Sequence, residues 1–517
     1  MFLRLVLGIV RRLPRAVTER PGRAVLLMAL GISACTSDEQ PEVAGPPPLP
    51  DPPFISSSDG ILATTLTAAP GTVSFNGRSY ETNLYNGQYI PPVWRLSPGD
   101  KIELELVNEM SEGAASPPAG THGSPDQSFT SLHYHGFNVS PMAPADDVFL
   151  EVFPQGEGPT PTSYQYTVPV PATHPEGLFW FHPHPHGISE PQVLGGMSGG
   201  VIVGDILKDY YPKLVGSRER VMLLKDFQAD SDPDAPLLKT INGVPQSVNG
   251  VPQASISIAP GEAQFWRFAN IGADAFFDMQ LQDLDGNVVP MYVIAVDGNP
   301  SVQPTQMSSL FLGAGARMEA IVIGPPAGSY VLKSLKIDTG PQGDPNPEVV
   351  LAEVTSSGGA SNPVTPEEVA DLLPAKAEAG LSALLDRRRA GVVPNPRTFV
   401  FSESNDGDTF YINERVYDPD RIDTTVEFPS TEEWTVTNTS GELHVFHIHQ
   451  LDFLVEEING VPQPVNGLQD TITLPVDGEV KLLIPFTKKT MLGEFVYHCH
   501  ILGHEDNGMM ANIVVQQ

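Results

Sequence analysis

Pro98-Gly99-Asp100-Lys101-Ile102-Glu103-Leu104-Glu105-Leu106-Val107-Asn108 opens on a turn, alternates polar with apolar residues and closes on Asn. A period of two is the pattern of a strand with one buried face. Two further stretches follow the same plan: Pro260-Gly261-Glu262 through Trp266-Arg267-Phe268-Ala269-Asn270, and Ser430-Thr431-Glu432-Glu433-Trp434-Thr435-Val436-Thr437-Asn438. Their closing Asn residues are spaced by 162 and 168 positions. One such match is what any two strands after a turn can show. Three in series, about 165 residues apart, predict three copies of one β-sandwich domain.

The rest of the chain fits that frame. Its 517 residues allow two to four domains, and 52 Pro and 47 Gly between short apolar runs read as all-β. A hydrophobic share of 40% supplies cores and excludes a disordered chain. Against 62 acidic residues stand 29 basic ones, a net charge of -33 that excludes nucleic acid as a partner, because phosphate binding needs clustered Lys and Arg. The boundaries predicted are 56–208, 209–355 and 398–517 for the three sandwiches. Residues 356–397 form a helical linker: Thr365-Pro366-Glu367-Glu368 has the form of a capping box, with Val369, Leu372 and Leu373 and then Leu381, Leu384 and Leu385 as apolar positions. The helix is expected to break near Pro374 and end around Gly391, with Arg387-Arg388-Arg389 as a solvated end.

The N-terminus differs from the rest. Six Arg between positions 4 and 23 precede the apolar run from Ala24 to Leu30, which marks residues 1–34 as an export signal. Ile32-Ser33-Ala34-Cys35 resembles the cleavage box of bacterial lipoproteins, which implies lipid attachment at Cys35 and a periplasmic or cell-surface lipoprotein. Ordinary signal cleavage nearby is the alternative. The Pro-rich segment 35–55 reads as an extended tether.

Ten of the 13 His fall into four clusters: His133-Tyr134-His135-Gly136; Trp180-Phe181-His182-Pro183-His184; His444-Val445-Phe446-His447-Ile448-His449; and His498-Cys499-His500 with His504 and Met509. The predicted middle domain has none. A lone His-x-His is more often a surface pair or half of a zinc site. The fourth cluster is more specific, since two His, one Cys and a weak axial Met make a blue-copper site. Cys499, His504 and Met509 lie on one short segment, and His444 supplies the remaining ligand. On an extended chain successive side chains point to opposite sides, so Cys499 faces one metal while His498 and His500 face away from it.

In order and spacing the four clusters resemble those of the multicopper oxidases, the family of laccases, bilirubin oxidases and bacterial cuprous oxidases, from Ile61 to the C-terminus. The resemblance implies three cupredoxin-like Greek-key sandwiches and four copper ions. It places type 1 copper at His444, Cys499, His504 and Met509, type 2 at His133 and His447, and the type 3 pair at His135, His182, His184, His449, His498 and His500. It further implies dioxygen and a small reducing substrate as partners, with electrons passing through Cys499 to the trinuclear centre. His122, His174 and His186 fall outside the family's ligand positions and are assigned surface or supporting roles. Reduction of dioxygen to water consumes protons, for which Asp146 and Glu505 match the family pattern, with Asp147 as an alternative to Asp146.

Gln450 stands where many members have Gly. Cuprous oxidases of the family place Asp and Met where this chain has Ser440 and Glu442, and add a Met-rich insert, whereas the linker here has neither Met nor His. The expected activity is therefore laccase-like oxidation of phenols or aromatic amines. Metal-ion oxidation and non-catalytic copper binding are the alternatives, and members that lost copper ligands serve structural or division-related roles. Nitrite reductases share the blue site but use fewer His.

Overall fold

A computed structural model describes residues 45–110, 128–154, 162–229 and 235–517. The export signal, Cys35 and His122 lie outside the described residues. Strands make up 48% and helices 8%, and the strands form six sheets that pair into three cupredoxin β-sandwiches.

The repeated motif is the central strand of each sandwich. Lys101–Asn108 runs parallel to Ile61–Phe75 and antiparallel to Ser163–Pro169. Ala263–Asn270 runs parallel to Arg218–Phe227 and antiparallel to Arg317–Ile323. Ser430–Asn438 repeats the arrangement between Asn395–Glu403 and Glu479–Phe486.

The closing Asn makes the same lock three times. Asn108 donates from Nδ2 to the carbonyls of Ser128 (2.6 Å) and Val152 (2.7 Å), and its Oδ1 accepts the Met110 N–H. Asn270 donates to Ala275 and Gly313 and accepts from Gly272. Asn438 donates to Glu442 and Pro475 and accepts from Ser440. All three are buried, and a carboxamide offers both donor and acceptor, so each satisfies three backbone groups where its strand ends.

The first strand keeps the predicted alternation, with Ile102, Leu104 and Leu106 inside. Ala263–Asn270 is buried along its whole length. One face holds Trp266 and Phe268 in the middle core. The other packs Ala269, with Ile271 just beyond, against Leu178, Trp180 and Ile202 of the first sandwich. Arg267 on that strand is buried with Glu319, which in turn accepts the Leu178 N–H at 2.8 Å. A domain enclosed by its neighbour has no solvent face to impose alternation.

In the linker, Pro366–Ala370 begins with the predicted capping box, both bonds between Thr365 and Glu368 being present. Ala379–Arg389 follows, seating Leu381 and Leu384 against Leu454, Leu468 and Leu483. Leu373, read as an apolar-face position, is 75% exposed, because the first helix ends before it. Arg389 is solvated, whereas Arg387 donates to Thr431 and Arg388 pairs with Glu456 at 3.1 Å. From Pro46 the Pro-rich tether is extended but attached: Ser255 donates to the carbonyls of Pro46 and Pro47, and Leu49 enters the middle core.

Candidate metal centre

The His-bearing strands occupy equivalent places in the first and third sandwiches. His133–His135 pairs antiparallel with Gly177–His182, setting His133 opposite His182. His444–Ile448 pairs with Gly493–Cys499, setting His447 opposite His498. The two strand pairs meet face to face. His133 stacks on His449 with ring centroids 3.7 Å apart, and His135 stacks on His447 at 3.9 Å.

Eight buried imidazoles thus converge, four from each sandwich. Their nitrogens gather in three groups, each within 4.8 Å: His135, His182 and His500; His184, His449 and His498; and His133, His447 and again His135. Nε2 of His498 is 3.2 Å from that of His449 and 3.4 Å from that of His184, and His500 Nε2 is 3.1 Å from His135 Nδ1.

The outward nitrogens fix the tautomers. His182, His447 and His498 meet backbone carbonyls through Nδ1 at 2.8–2.9 Å, His133 Nδ1 lies 3.0 Å from Asp146 Oδ2, and His135 Nε2 lies 3.2 Å from Asp470 Oδ1. A carbonyl oxygen only accepts, so the outward nitrogen carries the hydrogen and the inward one presents a lone pair. Burial lowers the pKa of His133, His135, His447, His449 and His500, and of His182 to about 3 and His184 to about 4, so these seven stay neutral. The inward Nε2 atoms of His133, His182 and His447 have no hydrogen-bond partner. Clustered, buried, unprotonated and unpartnered lone pairs are costly unless a metal ion takes them, so this donor set fits copper.

A fourth group lies beyond Cys499. His444 Nδ1 and His504 Nδ1 are 2.9 Å apart, and the Cys499 sulfur is 3.8 and 3.7 Å from them. The short helix Leu502–Asp506 carries His504, whose ring stacks on Phe410 at 4.0 Å. Met509 is fully buried, its N–H bonded to the His504 carbonyl and its carbonyl accepting the Cys499 N–H. Ser440 Oγ sits 2.8 Å from the outward Nε2 of His444 and is itself held by Asn438, so the third Asn lock also orients this ring. Burial pushes the Cys499 thiol up, so a metal must displace its proton. A cavity of about 220 Å³ reaches His504 and is lined by Leu237, Phe276, Ile501, Glu190, Asp274 and Glu442.

Both carboxyl candidates are buried beside the eight-His cluster. Asp146 accepts the Tyr134 N–H at 3.0 Å, and burial raises its pKa to about 7 against the pull of that bond and of the Gln450 amide. Asp147 instead accepts the Phe149 N–H within its own turn. Glu505 lies 2.9 Å from His498 Nδ1 and 3.5 Å from His184 Nε2, and accepts from Ser189 Oγ. Burial works against its charge, and the bond from His498 Nδ1 favours it. His186 is exposed, with its ring edge on Tyr417. His174 is buried rather than at the surface: it accepts the Asn138 N–H and packs against Phe137 and Phe179, a core role.

Of three further residues at the centre, Asp470 and Arg317 carry no sequence signal and Gln450 stands out only as a departure after His449. Asp470 supports His135 by its carboxylate and His447 by its carbonyl. Arg317, from the middle sandwich, grips that carboxylate with two bonds of 2.7 and 2.6 Å. Gln450 reaches Asp146. Gly136 makes room for this arrangement: its φ is +83°, and a Cβ there would collide with Arg317 Nη2 and Asp470 Oδ2. Gly136→Ala is expected to cost about 1–2 kcal/mol from the backbone alone, and to lower copper per chain by displacing Asp470 from His135. Copper analysis and the thermal midpoint check it, and unchanged values would contradict it.

Family models described as multicopper oxidase match residues 67–207, 203–349 and 393–517. The multicopper oxidase Mco of Staphylococcus aureus is 26% identical over 474 residues, covering 89% of each chain. The cell division protein FtsP of a Rahnella species is 24% identical, covering 97% of this chain and 98% of its own. A Campylobacter jejuni multicopper oxidase, described as a metallo-oxidase, superposes with a TM-score of 0.69 at 22% identity, covering 92% of this chain and 96% of that one. With the His clusters in place and all three sandwiches matched, the chain belongs to the multicopper oxidase family, oxidoreductases that use dioxygen.

Proposed function

We propose that this protein is a laccase-like oxidase that takes single electrons from phenols or aromatic amines at the His504 edge and reduces dioxygen to water among the eight His. His444, Cys499, His504 and Met509 would hold one copper, His133 and His447 a second, and the two remaining His triads one each. Copper bound there would supply one-electron acceptance at the sulfur site and four-electron reduction of dioxygen at the cluster. The protein's part is positional: Cys499 touches the first site, and its neighbours His498 and His500 belong to two different triads, so the covalent path between centres is one residue long.

The observation that carries the substrate class is the cavity ending on His504. Its Leu237, Phe276 and Ile501 wall suits an aromatic ring. Glu442 Oε1, 3.4 Å from His504 Nε2, offers the polar contact a phenol hydroxyl or amine needs. The carboxyls on the same wall favour a second reading, a metal ion as donor. The test is oxygen uptake by copper-loaded protein with a phenol, an aromatic amine and cuprous ion side by side. Faster uptake with cuprous ion would overturn the organic donor. A blue protein with no uptake would leave copper binding alone. The complete donor set counts against a purely structural role such as the name of the Rahnella protein suggests.

Protons for water formation are assigned to Glu505 and Asp146. Glu505→Gln should retain copper and blue colour while oxygen uptake slows roughly 10²- to 10⁴-fold, the range for loss of a proton-transfer group. Full activity across pH in that variant would remove Glu505 from the mechanism. Export with lipid attachment at Cys35 is also proposed, on the N-terminal Arg and apolar pattern. The mass of the N-terminal peptide from membranes, with and without Cys35→Ala, decides it.

A further inference from the structure

Gln450 follows His449 directly, and its backbone is left-handed, with φ at +68°. That conformation suits glycine and is unfavourable for a residue with a side chain. A non-glycine residue persists there only where its surroundings hold it, and such positions gather at functional sites. Gln450 is 1% exposed, so solvent does not stabilise it. Its side chain makes one hydrogen bond: Nε2 donates to Asp146 Oδ2 at 2.8 Å. The amide orientation follows from chemistry, since a carboxylate only accepts and the NH₂ end must face it. The other end, Oε1, has no hydrogen-bond partner.

Asp146 therefore sits within three donors: the Tyr134 N–H, His133 Nδ1 and the Gln450 amide. The first two belong to the first sandwich and the third to the third sandwich. The Tyr134 bond falls on Oδ1, while Gln450 and His133 share Oδ2. Without Gln450 the carboxylate has no partner across the interface and its plane is set from one side only. His133 then loses the fixed acceptor that keeps its Nδ1 protonated and its Nε2 directed inward.

We propose that Gln450 is a positioning residue for dioxygen reduction: it clamps the Asp146 carboxylate across the interface and so orients the His133 ring, and its strained backbone is kept for that purpose. This rests on the reading that His133 holds copper and that Asp146 serves the cluster. The one hydrogen bond of the Gln450 side chain goes to Asp146 and none goes to a ligand nitrogen, so its polar influence runs through Asp146.

The test uses copper-loaded protein and two substitutions. Gln450→Gly relaxes the backbone and removes the donor. Gln450→Met keeps the length of the side chain but cannot donate. Each should retain wild-type copper content and lower steady-state oxygen uptake with a saturating phenol about 10- to 100-fold, as for other partners that orient a metal ligand. Anaerobic bleaching of the blue band by the same phenol, which reads only the Cys499 site, should keep its wild-type rate. The electron paramagnetic resonance signal of the copper at His133 and His447 should change its hyperfine splitting. Wild-type uptake with a wild-type signal in Gln450→Gly overturns the proposal. So does a loss of uptake matched by slower bleaching with no change in that signal, which would be a general packing defect. Asp146→Asn separates the two readings. If it is slow while Gln450→Gly is not, the clamp alone fails; if it is fully active, the role of Asp146 fails and the clamp with it. If Gln450→Gly adds no further loss to Asp146→Asn, the two residues act as one unit.

Discussion

Cys499→Ser is expected to abolish the blue colour and to reduce donor-driven oxygen uptake at least about a thousandfold, because a hydroxyl is neither a soft ligand nor an electron conduit. The substitution is small and fills the same buried space, so the third sandwich should still fold. His498 and His500 are held by contacts that do not involve sulfur: a carbonyl and Glu505 for the ring of the former, and for the latter the bond from its backbone N–H to the Val445 carbonyl at 2.7 Å. The eight-His cluster should therefore still load copper. Metal analysis would show loss of one copper per chain, with the magnetic signal of the copper proposed at His133 and His447 retained. A protein still blue after this change would remove Cys499 from the site. Loss of all copper would mean that the two sites cannot form independently.

Arg317→Met has the largest expected effect on stability. The guanidinium is fully buried, and burial works against its charge, but Asp470 and Asp297 hold it above its ordinary pKa. Removing it leaves Asp470 without its cationic partner, in a place where water cannot replace the lost bonds. Breaking such a pair from one side costs about 3–5 kcal/mol. The thermal midpoint of the metal-free protein should fall accordingly. Arg317→Met combined with Asp470→Asn should regain more than half of that loss, since the stranded charge is then gone. Equal loss in the single and double variants would show that packing rather than charge is what Arg317 supplies. Copper content should also fall in Arg317→Met, because Asp470 supports both His135 and His447.

What could be read from the sequence was what repeats or clusters. A strand period of two, a closing Asn and four His groups are local patterns, and each marks its place without knowledge of the partners. The capping box at Thr365 was legible for the same reason. Arg317 and Asp470 were not, and Gln450 stood out only as a departure beside His449, with no sign of its partner. Each is a single polar residue in a strand or loop, and its meaning lies in a side chain 153 or 304 positions away. Burial of Ala263–Asn270 on both faces was hidden likewise, since its second face is covered by another domain. His174 lies outside any cluster, so nothing local distinguishes a core ring from a surface one. Leu373 matches a helical period but lies beyond the last turn, and no residue before Pro374 announces so early a stop.

The Asn lock has a consequence for how this molecule came to hold metal. The same three bonds close the central strand in all three sandwiches, including the one that holds no His cluster, so this closure needs no metal ion. A tandem array of this kind lets its copies diverge under different demands. The outer two gave one face each to imidazoles. The inner one, free of that duty, stands as the wall behind them and lends Arg317 to a site to which it contributes no His.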